Sequence, residues 1–126
     1  MRRKTLLVVE DDDLLRAVYR QTLSLGGYEV REAYDGLAAL QAIDIAPPDV
    51  IVLDLVMPRV TGYDVLAEVR QDAHTRHIPV IIVTGTQDSL EGAGADCVLR
   101  KPVDMGLLLR AVARCSAPRD AESQKF

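Results

Sequence analysis

The chain has 126 residues, 48% hydrophobic and 27% charged, with a formal net charge of −4 and two cysteines. That length supports one domain with its own core, and the acidic balance leaves no basic footprint for nucleic acid. No apolar stretch approaches the ~20 residues of a membrane span, and Met1-Arg2-Arg3-Lys4 leads into too few apolar residues for a signal peptide, so a cytoplasmic protein is expected. Cys97 and Cys115 are too few and too loosely patterned for a disulfide framework and fit a reducing compartment; Cys97 reads as a small core residue.

Leu6-Leu7-Val8-Val9 predicts a strand buried on both faces, ending at Glu10-Asp11. Asp12 is placed as the N-cap of a helix carrying Leu14, Leu15, Val18, Thr22 and Leu25 at helical spacing, stopped by Gly26-Gly27. Tyr28 to Ala33 alternates as an edge strand would, and Asp35-Gly36 opens a short helix with Leu37, Leu40 and Ile43, ended by Pro47-Pro48. A third strand, Val50 to Leu53, delivers Asp54. Met57-Pro58 and Thr61-Gly62 then form a loop before a helix whose buried stripe is Val65, Leu66 and Val69.

His74 and His77 fall in a polar stretch and read as solvated loop residues. The fourth strand, Val80 to Val83, delivers Thr84. Gly85 to Gly94 is mostly small or polar, so any helix there is brief. Val98-Leu99 is the core of a fifth strand, and Asp104 caps a last helix with Leu107, Leu108, Ala111 and Val112 inward. Residues 1–116 thus form the domain, and 117–126 read as a flexible C-terminal tail. Regular alternation of strand and helix argues an α/β fold with a doubly wound, five-stranded parallel sheet.

In such sheets ligands bind at the carboxyl ends of the strands, which gathers Glu10, Asp11, Asp54 and Thr84 into one pocket. Crowded carboxylates raise one another's pKa unless a cation offsets them. An oxygen-only set favours Mg²⁺ or Mn²⁺ over Zn²⁺, and Mg²⁺ keeps waters that a phosphate can replace. Lys101, before Pro102, brings a cation to a further strand end, where it can pair with a phosphoryl oxygen. The Rossmann glycine fingerprint and the P-loop are both absent, because four acids, Glu10 to Asp13, follow the first strand.

With these residues placed, the chain from Lys4 to about Arg114 resembles a receiver (REC) domain of the two-component response-regulator family. The likeness rests on Val8-Val9-Glu10-Asp11-Asp12, Val52-Leu53-Asp54-Leu55-Val56-Met57-Pro58 with Gly62, Val83-Thr84-Gly85, and Ala93-Gly94-Ala95-Asp96 leading to Lys101-Pro102. The resemblance implies a flavodoxin-like, CheY-like fold, and Asp54 as the phospho-acceptor in a Mg²⁺-dependent reaction with a sensor histidine kinase or a histidine phosphotransfer protein. It implies Asp11 and Asp54 as metal ligands with the backbone carbonyl of Val56, and Glu10 acting through a metal-bound water. Thr84 would hydrogen-bond the phosphoryl group, Lys101 would neutralise it, and Lys101-Pro102 would be cis. The output would be binding of a protein target, without direct contact to nucleic acid or membrane, and with homodimerisation left open. Such a protein catalyses only its own phosphorylation and dephosphorylation and is otherwise not an enzyme.

Two features depart from the family pattern. Thr84 and Lys101 are seventeen positions apart, fewer than receivers usually have, so the fourth helix is expected to be shortened or missing. Val98 stands where the family carries an aromatic switch residue, so the usual coupling cannot be carried over intact, and ordering of Gly85 to Gly94 is the expected readout instead. These departures leave an alternative: a receiver-like interaction module independent of phosphorylation. A phosphatase with an aspartyl-phosphate intermediate would want a second acid two residues after Asp54, and Val56 stands there.

Overall fold

Along the chain of the computed structural model, which describes residues 2–116, the elements are β1 (Thr5–Val9), α1 (Asp13–Leu25), β2 (Glu29–Ala33), α2 (Gly36–Ile45), β3 (Val50–Leu53), α3 (Gly62–Gln71), β4 (Val80–Thr84), β5 (Cys97–Arg100) and α4 (Met105–Cys115). The tail expected at 117–126 lies outside the described residues. All strands pair in parallel in the order β2-β1-β3-β4-β5, with the three aliphatic runs at the centre.

Their lack of alternation follows from burial on both faces. Leu7, Val9, Ile51, Leu53 and Ile82 meet α2 and α3 through Ala39, Ile43, Val65, Leu66 and Val69. Leu6, Val8, Val52, Ile81 and Val83 meet α1 and α4 through Tyr19, Leu23, Leu108 and Val112. β2 is an edge strand, as its alternation predicts.

The helix starts follow local chemistry. Asp12, Asp35 and Asp104 each accept hydrogen bonds from backbone N–H groups of the first turn they cap, and Thr61 forms a capping box with Asp64 that satisfies donors in both directions. The helical phase differs from expectation in α1. Its inward line is Leu15, Tyr19 and Leu23, four residues apart, which leaves Leu14, Val18 and Leu25 exposed. Leu37 in α2 and Leu107 in α4 are likewise one step off the buried line and face outward. The stripe of α3 is the predicted one, Val65, Leu66 and Val69.

No helix forms between β4 and β5. Gly92 and Gly94 take positive φ there, and Leu90, Ala93 and Ala95 pack onto the α2/α3 side of the core. Arg70 holds this segment to α3. It donates to the carbonyls of Gly94 (2.8 Å), Ile78 (2.7 Å) and Arg76 (3.1 Å) and pairs with Asp96 at 2.9 Å, which also accepts from the N–H of Val80. Without a helix over it, the outer face of β5 is open: Val98 and Arg100 are exposed, while Cys97 and Leu99 turn inward.

The cysteines depart from the reading that both are reduced. Cys97 and Cys115 are joined as a disulfide, with Cα atoms 6.4 Å apart. Cys115 continues the inward line of Leu108, Ala111 and Val112 on α4, and Cys97 begins the strand that line packs against. Sequence spacing alone does not reveal that meeting.

Candidate functional site

Strand register brings the polar residues together. Val9 lies opposite Leu53 in the β1–β3 pairing, so Glu10, Asp11 and Asp54 leave the sheet side by side. The Asp54 N–H donates to the Val9 carbonyl (3.0 Å), and the Glu10 N–H donates to that of Ala33 (3.2 Å). Thr84 lies opposite Arg100 in the β4–β5 pairing, and the Lys101 N–H donates to the Thr84 carbonyl at 2.8 Å, fixing where Lys101 begins. The Lys101-Pro102 bond is cis.

Gly62 is required beneath Asp54. A Cβ there would lie 2.1 Å from the Asp54 carbonyl oxygen and 2.6 Å from the Leu55 Cα, and the Gly62 N–H already donates to the Leu55 carbonyl. The backbone following the acid therefore packs against the start of α3 at a distance only glycine permits.

Glu10, Asp54 and Thr84 are buried, whereas Asp11 is exposed. Lys101 reaches across: its Nζ donates to Glu10 Oε1 at 2.9 Å and to Asp54 Oδ2 at 3.4 Å. Asp54 Oδ1 accepts from the Val56 N–H (3.2 Å), Glu10 Oε2 from the Asp12 N–H (3.1 Å), and Thr84 Oγ1 from the Thr86 N–H (3.3 Å).

Burial pushes the Glu10 carboxyl up to about 7, with the Asp54 charge adding to the rise and the bonds from Lys101 and Asp12 opposing it. Burial also disfavours the Lys101 ammonium, yet its hydrogen bond to Glu10 and the charges of Asp54 and Glu10 outweigh that and raise its pKa. The pair is an anion made costly by desolvation, held by a cation that the same anions stabilise.

One carboxylate oxygen from each of Glu10, Asp11 and Asp54 lies within 4.8 Å of the others. An all-oxygen set of this spacing, with neither cysteine nor histidine, fits a hard divalent cation such as Mg²⁺ or Mn²⁺. His74 and His77 are exposed in the turn after α3 and take no part. Val56 projects its side chain outward, and only its backbone N–H is seen to meet the pocket, at Asp54 Oδ1.

Two neighbours escaped the sequence reading. Arg16 donates to the Glu10 carbonyl (2.9 Å) and pairs with Asp13 and Glu32, bracing the turn that carries the acids. Tyr19 is buried beneath the pocket, and its phenol is raised chiefly by burial, with Glu10 and Asp54 adding and Lys101 opposing. Its place on the Leu15-Tyr19-Leu23 line was the available signal. A cavity of 590 Å³ between the C-terminal halves of α2 and α3, lined by Leu40, Ile43, Val69, Asp72 and His74 among others, contains none of the pocket residues.

A parallel sheet in the order β2-β1-β3-β4-β5, with acids and a lysine gathered at its carboxyl end, defines a doubly wound protein of the flavodoxin-like type. The chain belongs to the response-regulator receiver family: the model described as "Response regulator receiver domain" matches residues 6–113. It is 38% identical over 124 residues to the response regulator MprA of Mycobacterium bovis, covering 92% of this chain and 53% of that protein. It is 35% identical to the "DNA-binding dual master transcriptional regulator RpaA" of Synechocystis, covering 85% of this chain and 46% of that one. The chain thus spans about half the length of these curated relatives.

Among solved structures it resembles the chemotaxis protein CheY4 of Vibrio cholerae, with TM-score 0.84 and 30% identity over 90% of this chain and 99% of that one. It also resembles the signal receiver domain of a LuxO repressor protein from Vibrio parahaemolyticus, with TM-score 0.86 and 30% identity over 98% and 97% of the two chains.

Proposed function

We propose that this receiver domain accepts a phosphoryl group on Asp54, in a Mg²⁺-dependent reaction with a sensor histidine kinase or histidine phosphotransfer protein, and acts as a cytoplasmic signalling switch through protein binding. The reading is carried by one observation: a buried acid at the end of β3 lies 3.4 Å from a lysine ammonium, beside two further carboxylates spaced for one cation. A carboxylate oxygen of Asp54 attacks the phosphorus of the phosphohistidine as the P–N bond breaks. Phosphoryl transfer needs little covalent help from the protein beyond alignment and neutralisation of the equatorial oxygens.

Lys101 supplies one such charge and moves from the carboxylate pair to the phosphoryl oxygen. Asp11 and Asp54, with the Val56 carbonyl, would hold the metal, and Glu10 would act through one of its waters. When bound, the cation neutralises the acids and the incoming phosphoryl oxygens. Thr84, whose hydroxyl oxygen accepts from the Thr86 N–H and has no other partner among the described residues, is available to donate to the phosphoryl group. Turnover of other substrates finds no support, because Val56 offers no acid to protonate a leaving group.

A receiver-like interaction module independent of phosphorylation is the second reading, favoured by the open outer face of β5 and by Val98 on it. Incubation with Mg²⁺ and a small phosphodonor, followed by intact-mass measurement, separates the two. Gain of one phosphoryl group, abolished by chelation and by Asp54→Asn, supports the switch. An unchanged mass with every donor supports the module.

A further inference from the structure

We propose that Cys97 and Cys115 form a reversible thiol–disulfide site that fastens the last turn of α4 to β5 when the protein meets an oxidant. Their Cα atoms are 6.4 Å apart, within the range of Cα separations that disulfides span. Both residues turn toward the α1/α4 side of the core, and both are half-buried rather than sealed. A small thiol or disulfide can therefore reach a sulfur, as exchange requires.

The surroundings make the bridge consequential. β5 is an edge strand with an open outer face. Apart from side-chain packing, the end of α4 is tied to the sheet by a single polar contact among the described residues, from Lys4 Nζ to the Ser116 carbonyl at 3.4 Å. The ring closed by the bridge has a sequence separation of 18 and contains Lys101 and the cap Asp104. Oxidation thus clamps both ends of the segment that carries the pocket lysine, and reduction releases the outer end.

The chemistry needs only a low-molecular-weight disulfide of the glutathione class. One cysteine thiolate attacks it and expels one small thiolate, leaving a mixed disulfide. The second cysteine thiolate attacks the protein sulfur of that bond and expels the other small thiolate. Two protein thiols are oxidised, one small disulfide is reduced to two thiols, and the two protons pass from the cysteines to the departing thiolates. Reduced glutathione drives the reverse. The bridge opens or closes whether or not Asp54 carries a phosphoryl group.

The test treats the full chain with excess oxidised and then excess reduced glutathione. Free thiols are counted by alkylation and mass, and amide exchange and melting temperature are recorded in each state. The expected results are an intramolecular Cys97–Cys115 peptide in the oxidised protein, its loss under reduced glutathione, and a melting temperature about 10 °C higher when oxidised. Amides in the last turn of α4 should exchange about tenfold more slowly in the oxidised state.

Cys97→Ser and Cys115→Ser should each stop at a mixed disulfide and lose the melting shift. The proposal is overturned if both thiols remain alkylatable after oxidation, or if the bridge resists reduced glutathione. It is equally overturned if exchange in α4 is the same in both states, or if the shift survives in the serine variants.

Discussion

Lys101 and Glu10, 91 positions apart in the chain, meet at 2.9 Å between Nζ and Oε1 at the carboxyl end of the sheet. The glutamate side chain is almost fully buried while the lysine keeps partial access to solvent. The ammonium is therefore the movable partner, able to leave Glu10 for an incoming anion while Glu10 stays fixed by the Asp12 N–H.

Replacing that ammonium tests both of its roles. Lys101→Met should lower stability by about 2 kcal/mol at neutral pH, because it leaves two buried acids without their cation, and it should slow phosphoryl transfer to Asp54 about a hundredfold. Urea denaturation and the rate of mass gain from a small phosphodonor measure the two effects. Wild-type rates in the variant would remove Lys101 from the mechanism.

The raised Glu10 pKa gives a signed pH dependence in metal-free buffer. The folded protein keeps a proton on Glu10 up to about 7, whereas the unfolded chain releases it near 4.5. Between these values folding takes up a proton, so stability is greatest below the window, falls as pH rises through it, and is lower by roughly 3 kcal/mol above it. Denaturation curves across this range should show wild type losing stability relative to Glu10→Gln. Parallel curves would contradict a burial cost for the Glu10 charge that its bonds to Lys101 and Asp12 only partly offset.

Gly62→Ala should be far more damaging than an exposed substitution. The new Cβ would meet backbone atoms of Asp54 and Leu55 that no side-chain rotation can clear, so α3 or the end of β3 must shift, at a cost of about 2–3 kcal/mol. Phosphorylation should fall with it, because the carboxylate moves with its backbone. Thermal melting and mass gain, measured on the same preparation, check the pair of outcomes.

The segment from Gly85 to Gly94 lacks a helix but is tied at both ends, by Arg70 at Gly94 and by Arg100, which donates to the carbonyls of Thr86 and Asp88. A phosphoryl mimic that draws Thr84 inward should increase amide protection there. Arg70→Ala should reduce protection in the same segment and lower stability by about 2 kcal/mol through loss of charge-assisted bonds. Unchanged exchange with the mimic would reject ordering of this segment as the readout.

The central strands and the pocket were legible in sequence because aliphatic runs buried on both faces leave little ambiguity, and because a polar residue directly after such a run must sit at the sheet rim. Asp12, Asp35 and Asp104 likewise announced the helix starts. Helical phase was less readable where apolar residues are dense. Leu14, Leu15, Val18 and Tyr19 offer two plausible stripes, and only the packing of α1 on the sheet selects Leu15 and Tyr19. The Cys97–Cys115 pairing and the Arg70 clamp were invisible, since both join distant elements through contacts that have no local period.

The measurement that bears most directly on the switch is localisation of the phosphoryl group. Protein treated with Mg²⁺ and a small phosphodonor is reduced with borohydride, which converts an aspartyl phosphate to homoserine, and the converted position is read by peptide fragmentation. Conversion at Asp54, dependent on Mg²⁺, is the predicted result. Conversion at Asp11, Asp12 or Asp13 instead, or none at any acid, would contradict the account.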